Sequence, residues 1–394
     1  MSEWKEYTIG EICSRFSSGK SIKASQISAE GLYPVYGGNG LRGFTDTFNF
    51  DGECSIIGRQ GAYCGNVRYF KGKAFMTEHA IVAMVNENHN NGYVSNLLSM
   101  MNLAQYQGQS AQPGLSVSTI SKITIKLPDL ATQEQCFNVL NLIDQKIQIN
   151  NQINQELEAM AKTLYDYWFV QFDFPDKNGK PYKSSGGKMV YNPELKREIP
   201  EGWGVAKVED IAQTGSGGTP KSTNVSYYSN GEIPWINSGE LEQTVITSTS
   251  NFITEEGLNN SSAKLFPSGT ILVAMYGATA GKVSFLTFEA STNQAICAIM
   301  LTDIRMRYYL KNVIEDLYQY LVKLSTGSAR DNLSQDMIKN IKVVIPSNDI
   351  LDRFYDFSNN IIKEITKKQQ ENEQLTQLRD WLLPMLMNGQ VKVE

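Results

Sequence analysis

Histidine is almost absent from this chain: His79 and His89 are the only two in 394 residues. A Ser-His-Asp triad or a histidine-rich metal site present in two copies is therefore excluded. The five cysteines, Cys13, Cys54, Cys64, Cys136 and Cys297, are odd in number, scattered, and form no C-x-x-C pair. Neither a zinc site nor a disulfide framework is indicated, and a reduced, cytoplasmic setting is expected. No apolar run is long enough to span a bilayer, and the opening "MSEWKEYTIGEI" lacks the apolar centre of a signal peptide. A basic excess is missing too. The formal net charge of −5 argues against a protein that coats nucleic acid without specificity, while leaving local basic faces open.

Nucleotide and methyl-transfer motifs are also lacking. "NPEL" at 192–195 has neither the second proline nor the aromatic of an amino-methyltransferase loop, and no G-x-G-x-x-G follows a strand. The Gly- and Lys-rich "KNGKPYKSSGGK" at 177–188 suggests a phosphate loop. It has Tyr182 where the leading Walker glycine belongs and Met189 where Ser or Thr must bind magnesium. No catalytic or metal-binding residue set stands out. His79 in "MTEHAIVAMV" is expected to open a buried strand as a core or loop residue, and the matching stretch "STNQAICAIM" carries Gln294 there.

What is present is a repeat. "QSAQPGLSVSTISKITIKLPD" (109–129) aligns without a gap on "GSARDNLSQDMIKNIKVVIPS" (327–347), with Leu115, Ser116, Ile120 and Pro128 meeting Leu333, Ser334, Ile338 and Pro346. The register continues through Asn154/Asn372, Leu157/Leu375 and Leu164/Leu382. "WKEYTIGEI" (4–12) resembles "WGVAKVEDI" (203–211), and "GAYCGNV" (61–67) resembles "GATAGKV" (277–283). The chain is one plan written twice, with divergent inserts.

Each copy starts with strand-leaning sequence. "CSIIG", "HAIVAMV", "TILVAMYG" and "ICAIML" are short apolar runs bounded by glycine, with helical pieces following, which reads as an α+β globule. Each copy ends in a long helix. In the first, Thr132-x-x-Gln135 forms a candidate capping box. Leu140, Ile143, Ile147, Asn150, Asn154, Leu157, Ala161, Leu164 and Trp168 then recur in steps of three and four. That is a coiled-coil seam, roughly 60 Å long for about forty residues. The second gives Ile361, Ile365, Asn372, Leu375, Leu382 and Leu386, with Lys368 and Arg379 on the seam. Asparagine at such positions either fixes register or marks a partly exposed seam. Two such helices in one chain can bury each other's stripe, and an antiparallel pair related by a pseudo-twofold is the simplest closed solution. Pro384 is expected to kink or break the last turns, with Asn388-Gly389 as the stop.

Glycine-rich loops bearing polar and aromatic groups supply the candidate binding residues. In the first globule these are Lys20, Lys23, Asn39, Arg59, Gln60, Tyr63 and Asn66. In the second they are Thr219, Lys221, Tyr228, Asn237, Tyr276, Thr279 and Lys282. These residue types hold phosphates and read base edges, and they also occur in plain surface turns. The helix ends, with Trp168, Phe169, Trp381, Leu383 and Met387, are candidates for docking partners.

"LYDYWFVQFDFPDKNGKPYKSSGGKMVYNPELKREIPEGW" (164–203) resembles the central segment of type I restriction–modification specificity subunits, and "LTQLRDWLLPMLMNGQVKV" (375–393) is similar to their C-terminal helix end. The resemblance covers essentially the whole chain. It implies target recognition domain 1 over 1–128, a long helix over 129–171, a flexible crossover over 172–202, target recognition domain 2 over 203–346, and a second long helix over 347–394. Each recognition domain would read half of a bipartite, asymmetric site in double-stranded DNA. The antiparallel coiled coil would set the spacer and dock two modification subunits that methylate adenine N6, and restriction subunits would add translocation and cleavage. S-adenosylmethionine, ATP and Mg would be held by those partners, with no catalysis or cofactor on this chain. The competing readings are a two-headed scaffold for protein or glycan partners and a self-contained methyltransferase.

Overall fold

The apolar runs fold as strands that are buried on both faces. The computed structural model describes residues 4–108, 114–324 and 332–393. It divides into two compact units, Met1–Ile147 with Gln374–Glu394, and Gln148–Glu373. The units do not follow the linear boundaries expected from the sequence. The division falls inside both long helices, and the chain's last residues belong with its first.

The first unit is built on a six-stranded sheet. Cys13–Ser18 pairs antiparallel with Ala80–Val85, which pairs with Phe50–Gly58, then Val67–Met76. Tyr33–Gly37 joins parallel to the last of these, and Gly40–Thr45 closes the edge. Side chains alternate across a strand. Ile57, Ile81, Ala83 and Val85 therefore enter one core with Tyr93, Leu98 and Ile120, while Cys54, Ile56, Ala80 and Val82 enter another with Phe50 and Met76. This two-sided burial is why the strands read as continuous apolar runs. Each fully buried Ile or Val contributes about 1.5–3 kcal/mol.

The second unit repeats the plan. Ala212–Ser216, Ile296–Leu301, Ile271–Ala274 and Val283–Leu286 lie in the same order, with Val245–Ile246 added at the edge. Cys297, Ile299, Ile271 and Val273 face one core, and Ile296, Ala298, Leu272 and Ala274 the other. A small antiparallel pair recurs as well: Lys5–Thr8 with Thr124–Leu127 in the first unit, Gly204–Lys207 with Lys342–Ile345 in the second.

The long helices span Leu130–Tyr165, continued by a π-helical turn over Asp166–Val170, and Asn348–Met387. Within the second unit they run antiparallel: Asn150 donates to Asn372 at 2.9 Å, and Trp168 meets Phe354 at 5.9 Å between ring centres. Within the first unit Arg379 pairs with Asp144 at 3.0 Å, which accounts for a charged residue on the seam.

Three local expectations change. The first helix is capped by Asp129, whose carboxylate accepts the Thr132 N–H at 2.8 Å, and Thr132 lies inside the first turn. That bond holds the Asp129 carboxyl below its ordinary range. Pro384 does not break the second helix, which continues to Met387. The stop is at Gly389, in left-handed conformation at φ +68°, with Gln390 N–H donating to the Met385 carbonyl at 2.9 Å. The crossover is not a flexible tether. Phe174 stacks on Tyr182 and on Trp203 at 4.7 and 4.9 Å. The Asp173 carboxylate accepts the Ser184 hydroxyl and its N–H, and Met189–Asn192 pairs with Arg197–Pro200 as a hairpin.

Candidate nucleic-acid interface

The Gly-Ala-x-x-Gly-x-Val loop is held by the same backbone bonds in both units. In the first, Gly58 N–H donates to Asn66 O, Gly65 N–H to Gly58 O and Leu115 N–H to Arg59 O, each at 2.8 Å. In the second, Ala274 donates to Lys282 O at 3.0 Å, Gly281 to Ala274 O at 2.8 Å and Leu333 to Met275 O at 2.8 Å. The tips, Gly61 at φ +80° and Gly277 at φ +91°, need glycine for the left-handed backbone and have nothing within 4 Å of a built Cβ. Each loop therefore projects an open tip beside the end of a central strand.

Three other segments converge on this tip in the first unit. Arg59 N–H donates to His79 O at 3.0 Å, Lys20 N–H to Met76 O at 2.9 Å, and a Cβ at Gly38 would lie 2.8 Å from His79 O. Lys20, Asn39, Gln60, Tyr63 and Asn66 are exposed on this edge, and Lys23 is exposed just beyond Lys20. Arg59 is half-buried: its guanidinium donates to Leu115 O and Ser18 Oγ at 3.3 and 3.4 Å, so it braces the loop. His79 is an exposed loop residue just ahead of the strand Ala80–Val85.

In the second unit Thr219, Lys221 and Tyr276 are exposed, and the Thr219 hydroxyl donates to Gln294 Oε1. Three predicted contacts are instead committed to holding loops. Buried Thr279 donates to Ser238 O at 2.7 Å, the Tyr228 hydroxyl donates to Pro220 O, and Asn237 opens a short 3-10 turn while accepting from Asn293. Lys282 lines a cleft of about 530 Å³ with Glu158, Lys162 and Lys311, on the side of the first long helix. Two arginines were missed from sequence. Arg42 and Arg68 are exposed on the two strands that flank Tyr33–Gly37, beside the turn carrying Asn39, Arg68 within 3.0 Å of a built Cβ at Gly40.

These paired polar edges, carried by one frame in two copies, match a known family. The model of the type I restriction modification DNA specificity domain matches residues 1–159 and again 200–377. The chain belongs to this family of specificity subunits. It is 27% identical over 331 residues to the type I restriction enzyme HindI specificity subunit of Haemophilus influenzae, covering 71% of each chain. It is 28% identical over 297 residues to the MjaIX specificity subunit of Methanocaldococcus jannaschii, covering 74% of this chain and 66% of that one. The crystal structure of a type I restriction–modification S subunit from M. genitalium shares the fold, with a TM-score of 0.64 at 15% identity over 98% of this chain and 96% of that one.

For a specificity subunit, the surface open to partners matters as much as the loops. Of the docking candidates, Trp381 is 57% exposed and Leu383 is half-buried. Trp168, Phe169 and Met387 are core residues, 7%, 3% and 1% exposed. Trp168 and Phe169 pack on Phe354 and Met387 on the first unit's core, so they support the helix ends rather than offer a surface. Among the described residues no group of His, Cys, Asp or Glu could hold a metal, and no helix is long and apolar enough to cross a membrane.

Proposed function

We propose that this chain is the DNA-reading and assembly component of a type I restriction–modification complex. Each unit reads one half of a bipartite site in double-stranded DNA, and the antiparallel helices set the spacer between the halves. The observation that carries this reading is one hydrogen-bond frame, repeated in both units, bearing two different sets of exposed polar side chains. A shared scaffold with divergent edges is what two readers of different base sequences require.

The chain's own residues bind, orient and space the DNA. Two modification subunits dock on the helical region and supply S-adenosylmethionine chemistry at adenine N6, and restriction subunits supply ATP- and Mg-dependent translocation and cleavage. A cytoplasmic location accords with DNA as the ligand. The net charge of −5 is compatible with DNA binding because partner subunits carry part of the phosphate contact.

Footprinting of the chain with its modification subunit tests the reading. A protected site split into two short specific halves supports it. Salt-sensitive binding without sequence preference overturns it.

A further inference from the structure

The turn entering the strand beside each open loop tip carries the same pattern, Thr77-Glu78-His79-Ala80 in the first unit and Thr292-Asn293-Gln294-Ala295 in the second. Thr77 and Thr292 are fully buried, and each hydroxyl lacks a hydrogen-bond partner. The third residue of each turn is exposed and is bonded to a side chain of a neighbouring segment. His79 Nδ1 lies 3.1 Å from Gln60 Oε1, and Gln294 Oε1 accepts from the Thr219 hydroxyl. Neither inter-segment pair was visible in sequence, because nineteen and seventy-five positions separate the partners.

Resting on the DNA-reading function proposed above, we propose that His79 and Gln294 are specificity-determining residues. Each acts as half of a side-chain pair, His79–Gln60 in one recognition domain and Gln294–Thr219 in the other. The chemistry of the pairs defines what they fit. Gln60 Oε1 can only accept, so His79 Nδ1 carries the hydrogen, while His79 Nε2 faces the Glu78 carboxylate at 3.6 Å. Gln60 keeps its amide N–H groups as donors. With the Glu78 carboxylate as the acceptor beside those amide groups, the first site thus offers a donor beside an acceptor. In the second, Gln294 offers amide donors beside the Thr219 oxygen, again a donor beside an acceptor. The complementary major-groove edge is adenine, with its N7 acceptor next to its N6 donor. Guanine offers two acceptors and is mismatched. Binding the two side chains to each other also fixes their rotamers before DNA arrives, which lowers the ordering cost of recognition.

The test is base-resolution mapping of methylated DNA from cells expressing the full chain with its modification subunit. His79→Ala is expected to relax discrimination at one base pair of one half-site by roughly 10- to 100-fold, leaving the other half-site unchanged. Gln294→Ala is expected to do the same in the other half. His79→Arg, which offers donors only, is expected to move the preference at that position from adenine towards guanine. His79→Gln guards against a folding defect: it restores a hydrogen-bonding partner for Gln60 and should recover at least part of the discrimination that His79→Ala loses. If the wild-type complex methylates a bipartite motif and every one of these variants keeps that motif unaltered, the inference is overturned. If the wild-type complex shows no motif at all, the DNA-reading function fails first and this inference falls with it.

Discussion

Asn150 donates through Nδ2 to Asn372 Oδ1 at 2.9 Å, with both side chains buried on the seam between the two long helices. Asn372 in turn donates to Asn151 at 2.8 Å. A polar pair at this place costs apolar packing and returns a fixed register.

The single substitution Asn150→Ala should therefore destabilise the chain by about 1–3 kcal/mol, because it strips the Asn372 carbonyl of its buried donor. Replacing both residues with leucine should restore stability while loosening register. Urea unfolding of the single and double variants measures the first effect. Equal stability of Asn150→Ala and wild type would show that the pair carries nothing.

The crossover should behave as folded structure. Phe174→Ala removes a ring stacked between Tyr182 and Trp203 and should cost about 3–5 kcal/mol. Limited proteolysis should spare 172–202 in the native chain and cut there in the variant. Rapid native cleavage within 177–188 would restore the tether reading.

Asp173 gives the same segment a pH dependence. The Ser184 hydroxyl and N–H bonds hold its carboxyl below the ordinary range. A lowered folded value means that the stabilisation is complete at neutral pH and is lost only as the pH falls below the ordinary carboxylate value, about 3.9, and through the folded one. Asp173→Asn should lower the melting temperature at pH 7 and flatten its fall under acid. A variant that melts in parallel with wild type down to acid pH would contradict this.

The helix-end aromatics should separate into two classes. Trp381→Ala, at an exposed site, should leave the melting temperature nearly unchanged and weaken co-purification with the modification subunit. Trp168→Ala should cost about 3–5 kcal/mol through lost core packing. Identical behaviour of the two variants would erase the distinction.

The parts legible in the sequence were those written in local periodicity. Every position from Leu140 to Trp168 placed on the seam is buried or half-buried, and the repeat register anticipates equivalent loops at Gly61 and Gly277. What stayed hidden depended on distant partners. Arg59 has the chemistry of a phosphate contact, yet the Leu115 carbonyl claims its guanidinium. Thr279 and Tyr228 have the chemistry of base contacts, yet Ser238 and Pro220 accept their hydroxyl hydrogens. The polar composition of 172–202 concealed Phe172 and Phe174, whose burial requires Trp203 beside them. Asp144 lies off the first helix's seam pattern, and only the antiparallel pairing explains why Arg379 is tolerated on the second.

The central claim is that two readers and one spacer share this chain. It is tested most directly by exchanging only residues 212–301 for the matching segment of another family member and mapping methylated adenines in cells that also carry the modification subunit. The account predicts that one half of the motif changes while the other half and the spacer length persist. A motif that changes in both halves, or in neither, would contradict it.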